Sequence, residues 1–443
     1  MHNRFILAGT NSGCGKTTVM VAVLSALVRR GLDVSSFKCG PDYIDPMFHR
    51  SVLGVTAHNL DPFFCGRDTL LQMLNTHAGR DISLVEGVMG YYDGIGAGGQ
   101  YSTCEVAQST GTPAVLVLNA RGMSTSAGAI LEGFIRYRPD NGLRGVIFNN
   151  ISTGTYPMLA KIAEHAGVQA YGYLPKRAEL SFESRHLGLV TAGELNDLKN
   201  KVENLGVLAE KYIDLDGLLV LAGTASHIET APFARWRGEP RARIAVAKDA
   251  AFCFLYRENL ELLESLGCQL IYFSPCSDAA LPERTQGLYL PGGYPELHAA
   301  ALSGNTTMRT SIRTAVLGGL PTIAECGGFL YLHAHLDGVP MVDAIAADAY
   351  RTERLQRFGY VTLVAQHNNL LGRAGENIRG HEFHYWDSTD CGDGFSARKA
   401  GNGTTYACVH ATPSLYAGFP HLYLPSNPVF AKNFVEKAVA TCN

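Results

Sequence analysis

Along the N-terminal half of the chain, short apolar runs alternate with longer stretches whose apolar positions fall three and four apart. RFILAG (4–9), DVSSFKCG (33–40), ISLVEG (82–87), PAVLVLN (113–119), GVIFNN (145–150) and AYGYLP (170–175) read as buried strands. KTTVMVAVLSALVRRG and TSAGAILEGFIRYR, lying between them, carry helical spacing. This rhythm predicts crossover units and a mostly parallel sheet covered by helices. The rhythm lapses after a helical segment near 194–212, where Arg, Pro and Gly crowd together over 224–241. A second series follows, with strands expected at RIAVAK (243–248), CQLIYFS (268–274), GLYLPGG (287–293), PTIAE (321–325) and GYVTLVA (359–365). The pattern therefore predicts two α/β domains in tandem, over 1–223 and 242–443, joined by a linker at 224–241.

Composition narrows the partner class. Apolar residues make up 46% and charged residues 17% of the 443, which places the chain with globular proteins. Forty acidic against 37 basic residues leave a net charge of −3. No global field then favours nucleic acid or an anionic membrane surface, and a small-molecule partner is expected. The stretch MHNRFILAGT enters a strand without the apolar core of a signal peptide, and no apolar run reaches the roughly 18 residues of a membrane helix. A cytoplasmic protein is the expectation. The 11 cysteines include no CxxC pair, which argues against a zinc ribbon and a disulfide framework.

Two stretches carry chemistry. AGTNSGCGKTT (8–18) joins the first strand to the first helix. Its glycines let backbone N–H groups crowd an anion, the helix start adds partial positive charge, and Lys16 adds a full one. Thr10 stands where the strict Walker pattern has its first glycine, a variant found in the dethiobiotin synthetase and cobyrinate synthase branch of P-loop proteins. Thr10, Gly13, Gly15, Lys16, Thr17 and Thr18 are the expected ATP contacts; the bland alternative is a glycine-rich turn with a surface lysine. KCGPDYIDP (38–46) and EGVMGYYDG (86–94) place carboxylates at or just past strand ends, where open α/β sheets bind ligands. Thr17, Asp45 and Glu86 are the candidate ligands of Mg²⁺, while Asp42, Tyr43 and Asp93 are candidates for substrate contact and phosphoryl transfer. For each acid taken singly, a helix cap or solvated turn is the alternative.

The second stretch is TIAECGGFLYL (322–332), in which Cys326 follows a strand and two glycines start a helix. Small residues on either side, Ala324 and Gly328, suit a nucleophile elbow, and a helix N-terminus lowers a thiol pKa. Taken alone, a buried core thiol is the alternative. Upstream, YLPGGYPEL (289–297) offers the N–H groups of Gly292 and Gly293 as an oxyanion hole; downstream, GFPHLYLPSNP (418–428) offers His421 as the base. That order is the order of the class I glutamine amidotransferases. The class usually places Glu two residues after the histidine, but here the run is His421-Leu422-Tyr423, so that carboxylate is missing from its place.

GTNSGCGKTT, FKCGPDYIDPMFH, NLDPFF, EGVMGYYDG, RHLGLV, FSPCSDAALPE, PGGYPEL, AECGGFLYL, RFGY and GHEFHYW occur in that order. With them the chain resembles, nearly end to end, the cobyrinic and cobyric acid synthase family of ATP-dependent amidoligases. The resemblance implies a dethiobiotin-synthetase-like P-loop domain followed by a class I glutaminase domain. It also implies conversion of the a and c acetate carboxylates of cobyrinate to amides in cobalamin biosynthesis, using ATP with Mg²⁺ and L-glutamine. The route it implies runs through an acyl phosphate and glutamine-derived ammonia that is shielded from bulk water. A sirohydrochlorin derivative stays open as substrate, and a P-loop partition or regulatory ATPase with a degenerate C-terminal domain is the rival from another class. Oligomeric state stays open too, a homodimer being one reading. In GHEFHYW (380–386), strand alternation puts His381, Phe383 and Tyr385 on one face and Glu382 and His384 on the other, which favours a structural or substrate-lining role over a metal site. Residues around HNLDPFF and QRFGY are candidates for gripping the macrocycle.

Overall fold

The computed structural model describes residues 3–176 and 192–441, so RHLGLV (185–190) lies outside the described residues. The chain divides into two compact units, residues 1–233 and 234–443, and the division falls within 224–241.

In the first unit β1 (Arg4–Gly9), β2 (Val34–Cys39), β3 (Thr56–Leu60), β4 (Ile82–Glu86), β5 (Ala114–Asn119), β6 (Leu143–Ile151) and β7 (Gln169–Pro175) form one sheet of order β3-β2-β4-β1-β5-β6-β7. Every pairing is parallel. Such sheets are covered on both faces, and β1 and β2 are buried at every residue. The sequence pattern missed β3, because TAHNL is a short, polar edge strand without an apolar run. Helix α1 (Lys16–Arg29) is buried continuously from Val19 to Leu27, since the sheet takes one side and Val202, Leu205 and Ala209 of helix Ala192–Tyr212 take another. Helix α2 (Ile44–Val52) follows β2.

The second unit holds β8 (Ala242–Ala247), β9 (Phe252–Phe254), β10 (Cys268–Phe273), β11 (Gly287–Leu290), β12 (Gly292–Gly293) and β13 (Thr322–Glu325). Its main sheet runs β10-β8-β11-β13, then strands Leu415–Gly418 and His410–Ala411. All pairings but the last are parallel. GLYLPGG does not form one strand: Pro291 brings no N–H to a ladder, and the chain splits there, β12 pairing antiparallel with β9. GYVTLVA likewise lies outside the parallel sheet. Its strand, Arg357–Ala365, belongs to a five-stranded sheet with Phe395–Lys399, Thr405–Cys408, Asn377–His384 and His421–Leu422, in which every pairing is antiparallel. In GHEFHYW, Phe383 and Tyr385 are exposed while Glu382 and His384 are buried, as alternation predicts; His381 is buried as well, because His421 pairs directly opposite it. Among the described residues no helix is long and apolar enough to cross a membrane.

Candidate active sites

At the end of β1 the chain turns through residues 10–15 into α1, with Gly13 and Gly15 at φ 79° and 96°, a region that disfavours side chains. Gly15 also has no room for one, since a Cβ there would lie 1.9 Å from Nδ2 of Asn149, whose amide holds the loop by donating to the Cys14 carbonyl at 3.0 Å. Lys16 donates to the Met89 carbonyl at 2.7 Å; Met89 itself takes a left-handed backbone (φ 47°). Burial pushes the Lys16 ammonium below its usual range. Asp93 accepts from the Gly90 N–H at 2.8 Å and so shapes the turn beside Thr10, against whose carbonyl Gly90 packs.

Sequence reasoning overlooked Lys38, the centre of the acidic cluster. Its Nζ lies 2.5 Å from Asp45 Oδ2, 3.1 Å from Glu86 Oε1 and 3.9 Å from Asp42 Oδ2. Burial opposes its charge, but the three carboxylates outweigh burial and hold it protonated. Burial likewise opposes ionisation of Asp45, yet Lys38 outweighs it and keeps the carboxyl below the usual range. Burial pushes Glu86 up. Asp42 starts α2 by accepting from the Ile44 N–H at 2.8 Å. Burial, then the Asp45 charge, lift its carboxyl to about 7, although 33% of its side chain reaches solvent. Tyr43, at the head of α2, is buried. A lysine inside a wholly buried strand, ahead of two aspartates, was the overlooked signal.

These residues suit a divalent cation. Thr17 Oγ1 donates to Glu86 Oε1 at 2.7 Å, which brings the P-loop hydroxyl to the cluster. The buried oxygens Asp45 Oδ1 and Glu86 Oε2 have no hydrogen-bond partner among the described residues. Hard, dehydrated carboxylate oxygens beside a P-loop threonine are the donor set such an ion takes.

In the second unit Cys326 sits between β13 and the short helix Gly327–Leu332 at φ 46°, ψ −102°, a strained conformation for a residue with a side chain. The glycines after it are sterically required. A Cβ on Gly328 would lie 2.1 Å from the Leu290 carbonyl oxygen, and one on Gly327 would lie 2.8 Å from the Gly293 nitrogen. The elbow is therefore pressed onto the Gly292-Gly293 strand. His421 reaches the same strand: a Cβ on Gly292 would lie 2.2 Å from its Cε1 and 3.1 Å from both ring nitrogens. Cysteine elbow, glycine pair and histidine converge, as the sequence led us to expect.

The expected lowering of the thiol pKa does not occur in the resting site. Burial pushes Cys326 up to about 12, and Glu296, Glu325 and Glu382 push the same way. A six-residue helix cannot offset that. Burial, with His381 and His384 nearby, pushes His421 down to about 3, so its imidazole is neutral. Glu325, the last residue of β13, is buried with Oε1 accepting from the Leu422 N–H at 3.0 Å and Oε2 from the Tyr289 hydroxyl at 3.1 Å. Burial pushes its carboxyl up to about 8 in spite of both bonds.

Residues 5–190 match the CobQ/CobB/MinD/ParA nucleotide binding domain, and residues 243–428 match the CobB/CobQ-like glutamine amidotransferase domain. Three relatives are named cobyrinate a,c-diamide synthase. The one from Thermoplasma volcanium is 38% identical over 98% of this chain and 97% of its own. That from Clostridium acetobutylicum is 39% identical over 97% and 99%, and that from Caldanaerobacter subterraneus subsp. tengcongensis is 39% identical over 98% of each. With a P-loop unit and a glutaminase unit matched in order and relatives matched over nearly their whole length, the chain belongs to the cobyrinate a,c-diamide synthase family of glutamine-dependent ligases.

Proposed function

We propose that this chain amidates the a and c acetate carboxylates of cobyrinate, drawing ammonia from glutamine in its second unit and activating the carboxylates with ATP in its first. The observation that carries the reading is that two chemically different sites are both complete on one chain. One is a phosphate loop beside a lysine-held carboxylate cluster; the other is a strained cysteine elbow and a neutral imidazole that lie against the same pair of glycines.

In the second unit the Cys326 sulfur attacks the side-chain amide carbon of glutamine while its proton passes to His421. The N–H groups of Gly292 and Gly293 hold the oxyanion. His421 returns the proton to the leaving nitrogen, the C–N bond breaks, and ammonia departs. Water then hydrolyses the glutamyl thioester, giving glutamate and the free thiol. Because Cys326 and His421 both rest uncharged, the transfer between them creates the charge pair only when substrate is present.

In the first unit an oxygen of the substrate carboxylate attacks the γ-phosphorus of ATP, giving an acyl phosphate and ADP. Ammonia attacks the acyl carbon and expels inorganic phosphate. The loop N–H groups and Lys16 bind the phosphates, Thr10 and Thr18 flank them, and Lys38 keeps Asp45 ionised. Asp42, Tyr43 and Asp93 lie on the adjoining segments, on which the substrate end is placed. Thr17, Asp45 and Glu86 would hold Mg²⁺, which when bound neutralises charge on the terminal phosphates.

The test supplies cobyrinate and a sirohydrochlorin derivative separately with ATP, Mg²⁺ and glutamine and weighs the products. Each acid-to-amide conversion lowers the mass by about one unit. Two such losses on cobyrinate support the reading; losses confined to the sirohydrochlorin derivative, or none with either, overturn it.

A further inference from the structure

His421 lacks the carboxylate that class I glutaminases place two residues farther on, and the strand order supplies one from elsewhere. We propose that Glu325, the residue directly before the nucleophile, is the positioning carboxylate of His421, braced by Tyr289 and Asn259; this rests on the reading of Cys326 and His421 given above.

Glu325 Oε2 lies 3.9 Å from Nδ1 of His421, with both side chains buried. The carboxyl is fixed at both oxygens. Oε1 takes the Leu422 N–H, which ties it to the residue following His421, and Oε2 takes the Tyr289 hydroxyl. Asn259 donates to the Tyr289 hydroxyl at 3.2 Å and to the Leu422 carbonyl at 2.8 Å, and accepts from the Leu424 N–H at 2.8 Å. One hydrogen-bonded frame thus positions the carboxyl and the backbone that carries the imidazole. A gap of 3.9 Å is too long for a hydrogen bond, but catalytic bonds often tighten only when substrate binds.

The chemical need is specific. To accept a proton at Nε2, neutral His421 must carry its own proton on Nδ1, and an ionised carboxylate facing Nδ1 selects that tautomer and then stabilises the imidazolium. A protonated Glu325 selects nothing. The carboxyl must therefore lose its proton to bulk water before the attack, and burial has pushed that ionisation up to about 8. Other titratable groups facing the imidazole are His381 and His384 on strand Asn377–His384, which burial pushes down to about 4. They are neutral across the working range. Cys326, pushed up to about 12, and Tyr289 and Tyr416, the phenols beside the Glu325 carboxyl that burial pushes well above their usual range, titrate above it.

The experiment measures glutamine-driven and ammonia-driven amidation of cobyrinate across pH in the full chain. In the native protein glutamine-driven kcat/KM rises through a midpoint near 8. Glu325→Gln keeps an acceptor for the Leu422 N–H but carries no charge. It lowers glutamine-driven kcat about 100-fold, leaves the KM for glutamine within about threefold, and abolishes the rise. Ammonia-driven amidation, which runs at the other unit's site, reports that the chain is folded. Tyr289→Phe, with the carboxylate kept but its donor removed, moves the rise to higher pH. A glutamine-driven kcat within about threefold of native in Glu325→Gln, or a loss of rate with the rise intact, overturns the proposal. Should Glu325→Gln not fold, a rise that stays in place in Tyr289→Phe does the same. Glutamine-driven turnover surviving in Cys326→Ala would instead overturn the nucleophile reading.

Discussion

The two units bury ionisable groups to opposite ends. In the first, Lys38 lies within 3.9 Å of three carboxylates, and mutual attraction keeps lysine and Asp45 charged despite burial. In the second, Cys326, His421 and Glu325 are buried without a cation among them, and burial drives all three toward their neutral forms. Desolvation is common to both sites, and in the first it also lifts Glu86 and Asp42; the close Lys38–Asp45 contact, at 2.5 Å, is what keeps those two ionised against it. In the first site a Lys38–Asp45 charge pair stands at rest; in the second Cys326 and His421 rest neutral, and the proton transfer proposed between them would create a pair.

The strongest way to break this contrast is to remove one reacting group from each side. Lys16→Ala is expected to lower both glutamine- and ammonia-driven amidation about 1,000-fold, whereas Cys326→Ala abolishes only the glutamine-driven reaction. Product mass with each nitrogen source separates them, and equal loss of both activities in Cys326→Ala would dissolve the division of labour.

Lys38→Met tests the charged side directly. It leaves Asp45 and Glu86 buried without their cation, and a loss of about 3–5 kcal/mol in unfolding free energy is expected from far-UV circular dichroism in urea. A loss under about 1 kcal/mol would mean that the pairing merely balances its own desolvation.

Glu325→Gln sharpens the neutral side through pH. The Glu325 carboxyl is pushed up from 4.5 to about 8. Between those values the folded protein holds the proton more tightly than the unfolded chain, so this group's contribution to stability falls as pH rises. Without the group that slope disappears, and the variant should gain about 3 kcal/mol relative to native between roughly pH 5 and pH 8. Trp236 and Trp386 are the chain's two tryptophans and both lie in the second unit, so their fluorescence reads this transition. The smallest expected effect is that of Gly328→Ala, whose Cβ meets the Leu290 carbonyl. It should cost about 1–3 kcal/mol by the same fluorescence, because backbone cannot step aside as a flexible side chain can.

Legibility from sequence followed the same division. Parallel strands such as RFILAG are buried on both faces and announce themselves as apolar runs. The antiparallel strands of the second unit, half exposed, mix polar and apolar residues, and among the five around His421 only Arg357–Ala365 and the GHEFH part of Asn377–His384 were anticipated. Site residues tied to a local backbone shape, such as Gly15 and Cys326, were visible because glycine placement betrays the turn. Lys38 and Glu325 were not. Lys38 stands four and seven residues before Asp42 and Asp45, a local signal that was overlooked, whereas its contact with Glu86 and that of Glu325 with the segment carrying His421 join parts distant in the chain, of which one-dimensional spacing holds no trace.

Gly292 lies where its missing side chain is the space occupied by the His421 ring. Its backbone is not left-handed, so alanine could be accommodated there by the chain but not by the imidazole. A single methyl group at this position would displace the imidazole proposed as the base, and the change lies outside the P-loop unit. On that reading the genetic distance between a glutamine-fed ligase and one dependent on free ammonia is one codon, and strains carrying the change should tell the two apart by their nitrogen source.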